Sequence, residues 1–157
     1  MRSTVLLTTG LFLFGAALGG ANEGKADLSG NWKLDQGRSE SGQTHKDLVL
    51  LIEGKDQSIH IKETRGPNLN ADVSDFTCGT MGKSCAMQDG ADKANVTVYY
   101  NGSVLVVLKT EGRKGDSVTK WRLSLAPTGD SINVEVIRID PQGKTVLTGI
   151  GHGFVIK

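Results

Sequence analysis

Asn95-Val96-Thr97-Val98-Tyr99-Tyr100-Asn101-Gly102-Ser103-Val104-Leu105-Val106-Val107-Leu108 is the stretch whose reading decides the fold. Its first half places Val96, Val98 and Tyr100 on one face, a period of two residues rather than the 3.6 of a helix. Its second half, Val104 to Leu108, is continuous and rich in β-branched residues, as a buried strand is. Between them stands Asn101-Gly102, the strongest short-range hairpin signal because both residues tolerate positive φ.

The same grammar continues downstream. Trp121, Leu123 and Leu125 alternate with Lys120, Arg122 and Ser124 over Ser117 to Leu125. Ile132, Val134 and Val136 alternate with Asn133 and Glu135, and a change of phase to Ile137 and Ile139 predicts a bulge. Val146 and Ile150 open a last strand running towards Phe154 and Ile156. Gly112 to Gly115, Thr128-Gly129-Asp130 and Pro141-Gln142-Gly143-Lys144 supply the reversals. From Asn95 onward the chain therefore reads as a meander of five strands.

Upstream, Asp47 to Glu53 is almost continuously apolar, and Ser58 to Glu63 sets Ile59 and Ile61 against His60 and Lys62. Arg38 to Lys46 is polar and reads as a loop or a short helix. Eight or nine strands with one apolar face each must hide their edges or close on themselves. The expected fold is all-β, an antiparallel up-and-down meander barrel of about eight strands, because consecutive short hairpins favour it. A two-sheet sandwich or an open half-barrel is the alternative. A barrel of that size either fills with side chains or holds one small ligand.

The N-terminus predicts export. Arg2 is followed by an uncharged run from Val5 to Leu18, ending in the small residues Gly19-Gly20-Ala21. That is the pattern of a signal peptide over 1–21, with cleavage after Ala21. At about 14 apolar residues the run falls short of the roughly 20 that span a bilayer. A flexible segment over 22–27 and one barrel domain over 28–157 complete the expected organisation. The chain carries 18 Lys and Arg against 17 Asp and Glu, so loss of Arg2 leaves a neutral domain. Such a domain has no electrostatic footprint for nucleic acid. A periplasmic or secreted monomer is expected, with no membrane span after cleavage. Cys78 and Cys85, the only cysteines, read as a disulfide across the Gly-rich segment Gly79 to Ser84. Their spacing is wrong for Cys-x-x-Cys, and no His stands nearby.

Asp27-Leu28-Ser29-Gly30-Asn31-Trp32-Lys33-Leu34 resembles the first strand of the lipocalin and wider calycin group. With Gly82-Lys83-Ser84-Cys85 and Lys120-Trp121-Arg122-Leu123-Ser124 after it, the chain resembles the lipocalin-like exported proteins of bacteria, from about Asp27 to the C-terminus. The resemblance implies that Gly30 and Trp32 form a plug at the barrel base and that the barrel binds a ligand. The Thr-Asp-x motif of true lipocalins is missing, and Arg138 is the nearest counterpart of the late Arg that covers the Trp.

Trp121, Tyr99, Tyr100 and Phe76 are the aromatics best able to line a cavity for a small apolar ligand. His45, His60 and His152 are far apart, and a metal site is not expected from them. No Ser has a Gly-x-Ser-x-Gly context, and Gly149-Ile150-Gly151-His152-Gly153 precedes no helix, so neither a hydrolase elbow nor a phosphate cradle is read. Asp72 with Asp75 and Asp89 with Asp92 read as solvated carboxylates in turn-rich segments. No catalytic set or cofactor is expected. Two functions stay open: a binding module for a small apolar ligand, or an interaction or inhibitor module whose stapled Cys78–Cys85 loop is the recognition element.

Overall fold

The computed structural model describes residues 24–39, 47–66, 71–89, 92–111, 117–139, 142–143 and 145–156. The predicted signal peptide, residues 22–23 of the flexible segment and His45 lie outside the described residues. Ten strands follow one another: β1 (Gly30–Leu34), β2 (Leu48–Lys55), β3 (Ser58–Arg65), β4 (Ala71–Gly79), β5 (Met81–Asp89), β6 (Asp92–Asn101), β7 (Val104–Glu111), β8 (Ser117–Leu125), β9 (Ser131–Ile139) and β10 (Thr145–Ile156). Each pairs antiparallel with the next, and β1 pairs with β10, so the sheet closes into an up-and-down barrel. Closure gives every strand a neighbour on both sides, which is the physical reason so many one-faced strands are stable together.

The all-β antiparallel meander barrel is as expected, with ten strands where about eight were read. The additional ones are β4 and β5, which the sequence hides because their core-facing positions carry Ser74, Cys78 and Met87 rather than β-branched residues. Asp72 and Asp75 accordingly lie within β4, and Asp89 and Asp92 face each other at the β5–β6 reversal.

The five-strand meander over β6 to β10 stands as read. Its first reversal differs in detail. Asn101 pairs with Val104, so Gly102 and Ser103 are the two turn residues, and Gly102 alone takes a positive φ of 61°. That is the pattern of a type II′ turn with Gly first. The bulge expected in β9 is not there: β9 runs in unbroken register along β8 from Val118↔Ile139 to Leu125↔Ile132. Register shifts occur instead on the other side, between Leu147 and Gly149 and between His152 and Phe154 of β10. The extra residues sit in the glycine-containing strand, where missing side chains let the backbone kink. Ile137 and Ile139 have no core role by this register; they alternate to the outward face on either side of Arg138, which is in phase with the inward Val134 and Val136.

The core is the barrel interior. Trp32, Ile52, Ile61, Val96, Val98, Val107, Leu123 and Ile132 alternate inward and are fully buried there. Val106 is also buried but on the outer face, flanked in register by Tyr99 and Arg122. Each buried aliphatic contributes about 1.5–3 kcal/mol relative to exposure.

The wall has one seam. Among the described residues the ladder between β4 and β5 registers only Ser74↔Asp89 and Asp75↔Gln88. Extending that register brings Cys78 opposite Cys85, and these two are joined by a disulfide with Cα atoms 5.7 Å apart. The covalent bond stands where ladder pairing stops. Among the described residues no helix is long and apolar enough to cross a membrane.

Candidate functional site

The two ends of the barrel differ in kind. The short reversals β2–β3, β4–β5, β6–β7 and β8–β9 gather at one end, and the segment from Gly24 to Ser29 crosses that end as a strap. Leu28 is buried, and its carbonyl accepts a hydrogen bond from Trp32 Nε1 at 2.8 Å. The Gly54 amide donates to Ser29 Oγ at 3.1 Å, and the Tyr100 hydroxyl donates to the Ala26 carbonyl at 3.2 Å. Lys25 Nζ stands 5.4 Å from the centre of the Tyr100 ring, a cation–π arrangement. Thr80 donates both its amide (2.8 Å) and its hydroxyl (3.2 Å) to the Gln57 carbonyl, tying two of the turns together. This end is sealed.

Gly30 explains the spacing of Gly-x-Trp. Its φ of 153° lies where residues with a Cβ are strained, and the Trp32 indole lies 3.4 Å from where a Cβ would stand. The ring folds back over the residue two before it and fills the barrel base. Arg138 does not cover it. Trp32 pairs with Ile156 and Arg138 with Val146, ten residues apart on β10, or roughly 30 Å of extended chain.

A cavity of about 210 Å³ lies at this end, between the strap residues Lys25 and Asp27, the β2–β3 turn, Thr80 and Tyr100. Burial pushes the Tyr100 phenol above its ordinary pKa, helped by the Asp27 charge.

Towards the other end the inner wall becomes polar and accessible. On β8, Leu123 is 0 % exposed, whereas Trp121, two residues further and on the same inward face, is only half-buried. Its register partner Val136 is half-buried too, and both pack against the core. One more step outward stand Lys109, Thr119 and Arg138, in direct register across β7, β8 and β9. Across the barrel, Glu63 is 4 % exposed; one carboxylate oxygen accepts from Arg65 Nε at 2.8 Å and the other from the Ser74 hydroxyl at 3.3 Å. A carboxylate so far from water needs such partners.

The structure separates the four aromatics singled out above. Trp121 lies half-buried on the inner wall, and Phe76 faces inward and is buried in the core. Tyr100 also points inward but at the sealed end. Tyr99 alternates to the outer face, beside Val106. Lys109, Thr119, Glu63 and Arg138's place beside them are what sequence reading missed. The available signal was a charged residue in phase with an apolar face: Lys109 after Leu105 and Val107, Glu63 after Ile59 and Ile61.

His60 sits on the outer face. Its Nδ1 lies 3.0 Å from Glu53 Oε2 and its Nε2 2.8 Å from Asp75 Oδ1, with Lys62 3.9 Å from the same aspartate. The Glu53 contact first, then that of Asp75, raises the His60 pKa above its ordinary value. His152 faces Asn133 in the β10–β9 register, far along the chain from His60. Among the described residues no three His, Cys, Asp or Glu side chains are grouped to hold a metal ion. Met81, at the tip beside the disulfide, is 65 % exposed, the one large apolar side chain so displayed among the described residues.

No protein-family model matches the chain, and no curated protein matches it significantly. Function therefore has to be read from the barrel itself.

Proposed function

We propose that this protein is an exported, calycin-like binding module that holds a small apolar ligand against the inner wall of its barrel. One observation carries the reading: Trp121 and Val136 face inward yet keep accessible surface, next along their strands to the buried pair Leu123 and Val134. An aromatic and an aliphatic side chain left half-covered on a concave wall form the kind of lining that apolar ligands fill. The sealed base supports the same direction of entry, since Trp32, Leu28 and the strap block the other end. The intact disulfide and the apolar leader support export to an oxidising compartment.

Titration with N-phenyl-1-naphthylamine, a neutral probe that fluoresces in apolar sites, tests it. Saturable enhancement with energy transfer from Trp121, lost in Trp121→Ala and kept in Trp32→Phe, is the expected outcome. Absence of saturable binding up to the probe's solubility would sink the proposal.

A second reading rests on Met81. Its exposed side chain on a disulfide-braced tip suits a protein contact, since rigid loops lose little entropy on docking. Replacing Met81 to Ser84 by Gly-Ser should abolish capture of a partner from envelope extract and leave probe binding unchanged.

A further inference from the structure

We propose that the cavity at the strap end of the barrel binds a small zwitterion, an ammonium and a carboxylate on one molecule as in a free amino acid, with its carboxylate on Lys55 and its ammonium on Asp56. Charges of both signs border the cavity from two directions: Lys25 and Asp27 on the strap, Lys55 and Asp56 at the β2–β3 reversal. The strap pair is already engaged. Lys25 stands over the Tyr100 ring at 5.4 Å, and Asp27 Oδ1 accepts from the Ser29 amide at 3.0 Å. The pair at the reversal is not. Among the described residues the Lys55 ammonium and the Asp56 carboxylate have no hydrogen-bond or ion-pair partner.

A ligand of one sign matches this border poorly. An anion drawn to Lys55 also meets the carboxylates of Asp56 and Asp27, and a cation drawn to Asp56 also meets Lys55 and Lys25. A molecule carrying both signs has an attractive partner for each of its ends. Lys55 and Asp56 are exposed, so each contact is weak by itself and selectivity comes from the two together. Size narrows the class further. About 210 Å³ is less than the roughly 300–1,000 Å³ of sites for drug-sized molecules, so the occupant has the scale of a single amino acid. Among the lining residues Ile59 is buried and Tyr100 half-buried, which gives a short aliphatic group apolar contact. Trp121 and Val136 do not line this cavity, so the site is separate from the apolar one on the inner wall.

The test compares three probes that share one carbon skeleton: L-valine; isovalerate, which is valine without its ammonium; and isobutylamine, which is valine without its carboxylate. Each is titrated at neutral pH into the purified, oxidised, isotope-labelled protein and followed by NMR of the backbone amides. L-valine should saturate shifts at 54–59, Thr80 and Tyr100 with a dissociation constant at least about three-fold below that of either relative, a factor within reach of one exposed ion pair. Lys55→Gln should bring valine to the level of isobutylamine. Asp56→Asn should bring it to the level of isovalerate, and it keeps a side chain that tolerates the φ of 53° at this turn. Equal affinity for valine and either relative, or valine binding untouched in both variants, overturns the zwitterion site. So does the lack of saturation at about 10 mM valine, ten-fold above a millimolar dissociation constant. These results leave the inner-wall site standing. Displacement of N-phenyl-1-naphthylamine by valine would place valine at the inner wall and overturn the separate site.

Discussion

Opening the Cys78–Cys85 bond is the perturbation with the most to say about this barrel. The bond closes a ring of eight residues. Loop-closure entropy for a ring of that size makes it worth about 2.5 kcal/mol, by restricting the unfolded chain. A domain of roughly 130 folded residues gains about 0.27 kcal/mol/K in unfolding entropy at its midpoint, so reduction should lower Tm by about 9 °C. The seam adds a local consequence. Among the described residues no ladder pair beyond Ser74↔Asp89 and Asp75↔Gln88 joins β4 to β5, and the disulfide is what crosses the gap. On reduction, amide hydrogens of 76–79 and 81–87 should therefore exchange faster before those of β2 and β3 do. Reducing the unaltered protein is the cleaner experiment, because Cys78 is buried in the core and an alanine there would add a small cavity loss of the same sign. Calorimetry of oxidised and reduced protein, with exchange mass spectrometry, reads both effects. A Tm drop under about 3 °C with unaltered exchange would refute both parts of the reasoning. A full drop with uniform exchange would refute the seam alone.

Three further predictions follow from single residues. His60 is the pH-dependent one: its folded pKa is raised, so its bridge to Glu53 and Asp75 stabilises fully below the unfolded value of about 6.5 and is lost as pH rises through the folded pKa. The denaturation free energy of wild type minus that of His60→Gln should shrink over that rise; a difference that grows with pH would refute the assignment. Gly30→Ala should destabilise by about 1–3 kcal/mol through backbone strain, since the Trp32 ring at 3.4 Å leaves room for a methyl but the φ of 153° does not suit it; urea midpoints decide this. Trp32→Phe removes the bond to the Leu28 carbonyl and part of the plug, and a loss of about 2–4 kcal/mol is expected by the same measurement.

Local pattern determined much of this molecule. Val96, Val98 and Tyr100 against Leu105 and Val107, with Gly102 between, specify a hairpin whatever surrounds them, because alternation and a positive-φ turn act over a few residues. The resemblance carried by Gly30-Asn31-Trp32 marked Trp32 as a base residue, and the even count of two cysteines in an exported chain paired Cys78 with Cys85. Strands β4 and β5 escaped it: Ser74, Cys78 and Met87 become inward residues only when neighbours bury them. Whether Trp121 lies in a floor or on an accessible wall was not legible either, since Leu123, two residues away, has the same alternation and no exposure. Tertiary structure decided that Lys109, Thr119 and Arg138 share a row, that Glu63 meets Ser74, and that His60 meets both Glu53 and Asp75. These meetings depend on strand register around a closed ring, and register is set by every strand pair together, whereas alternation is a property of each strand alone.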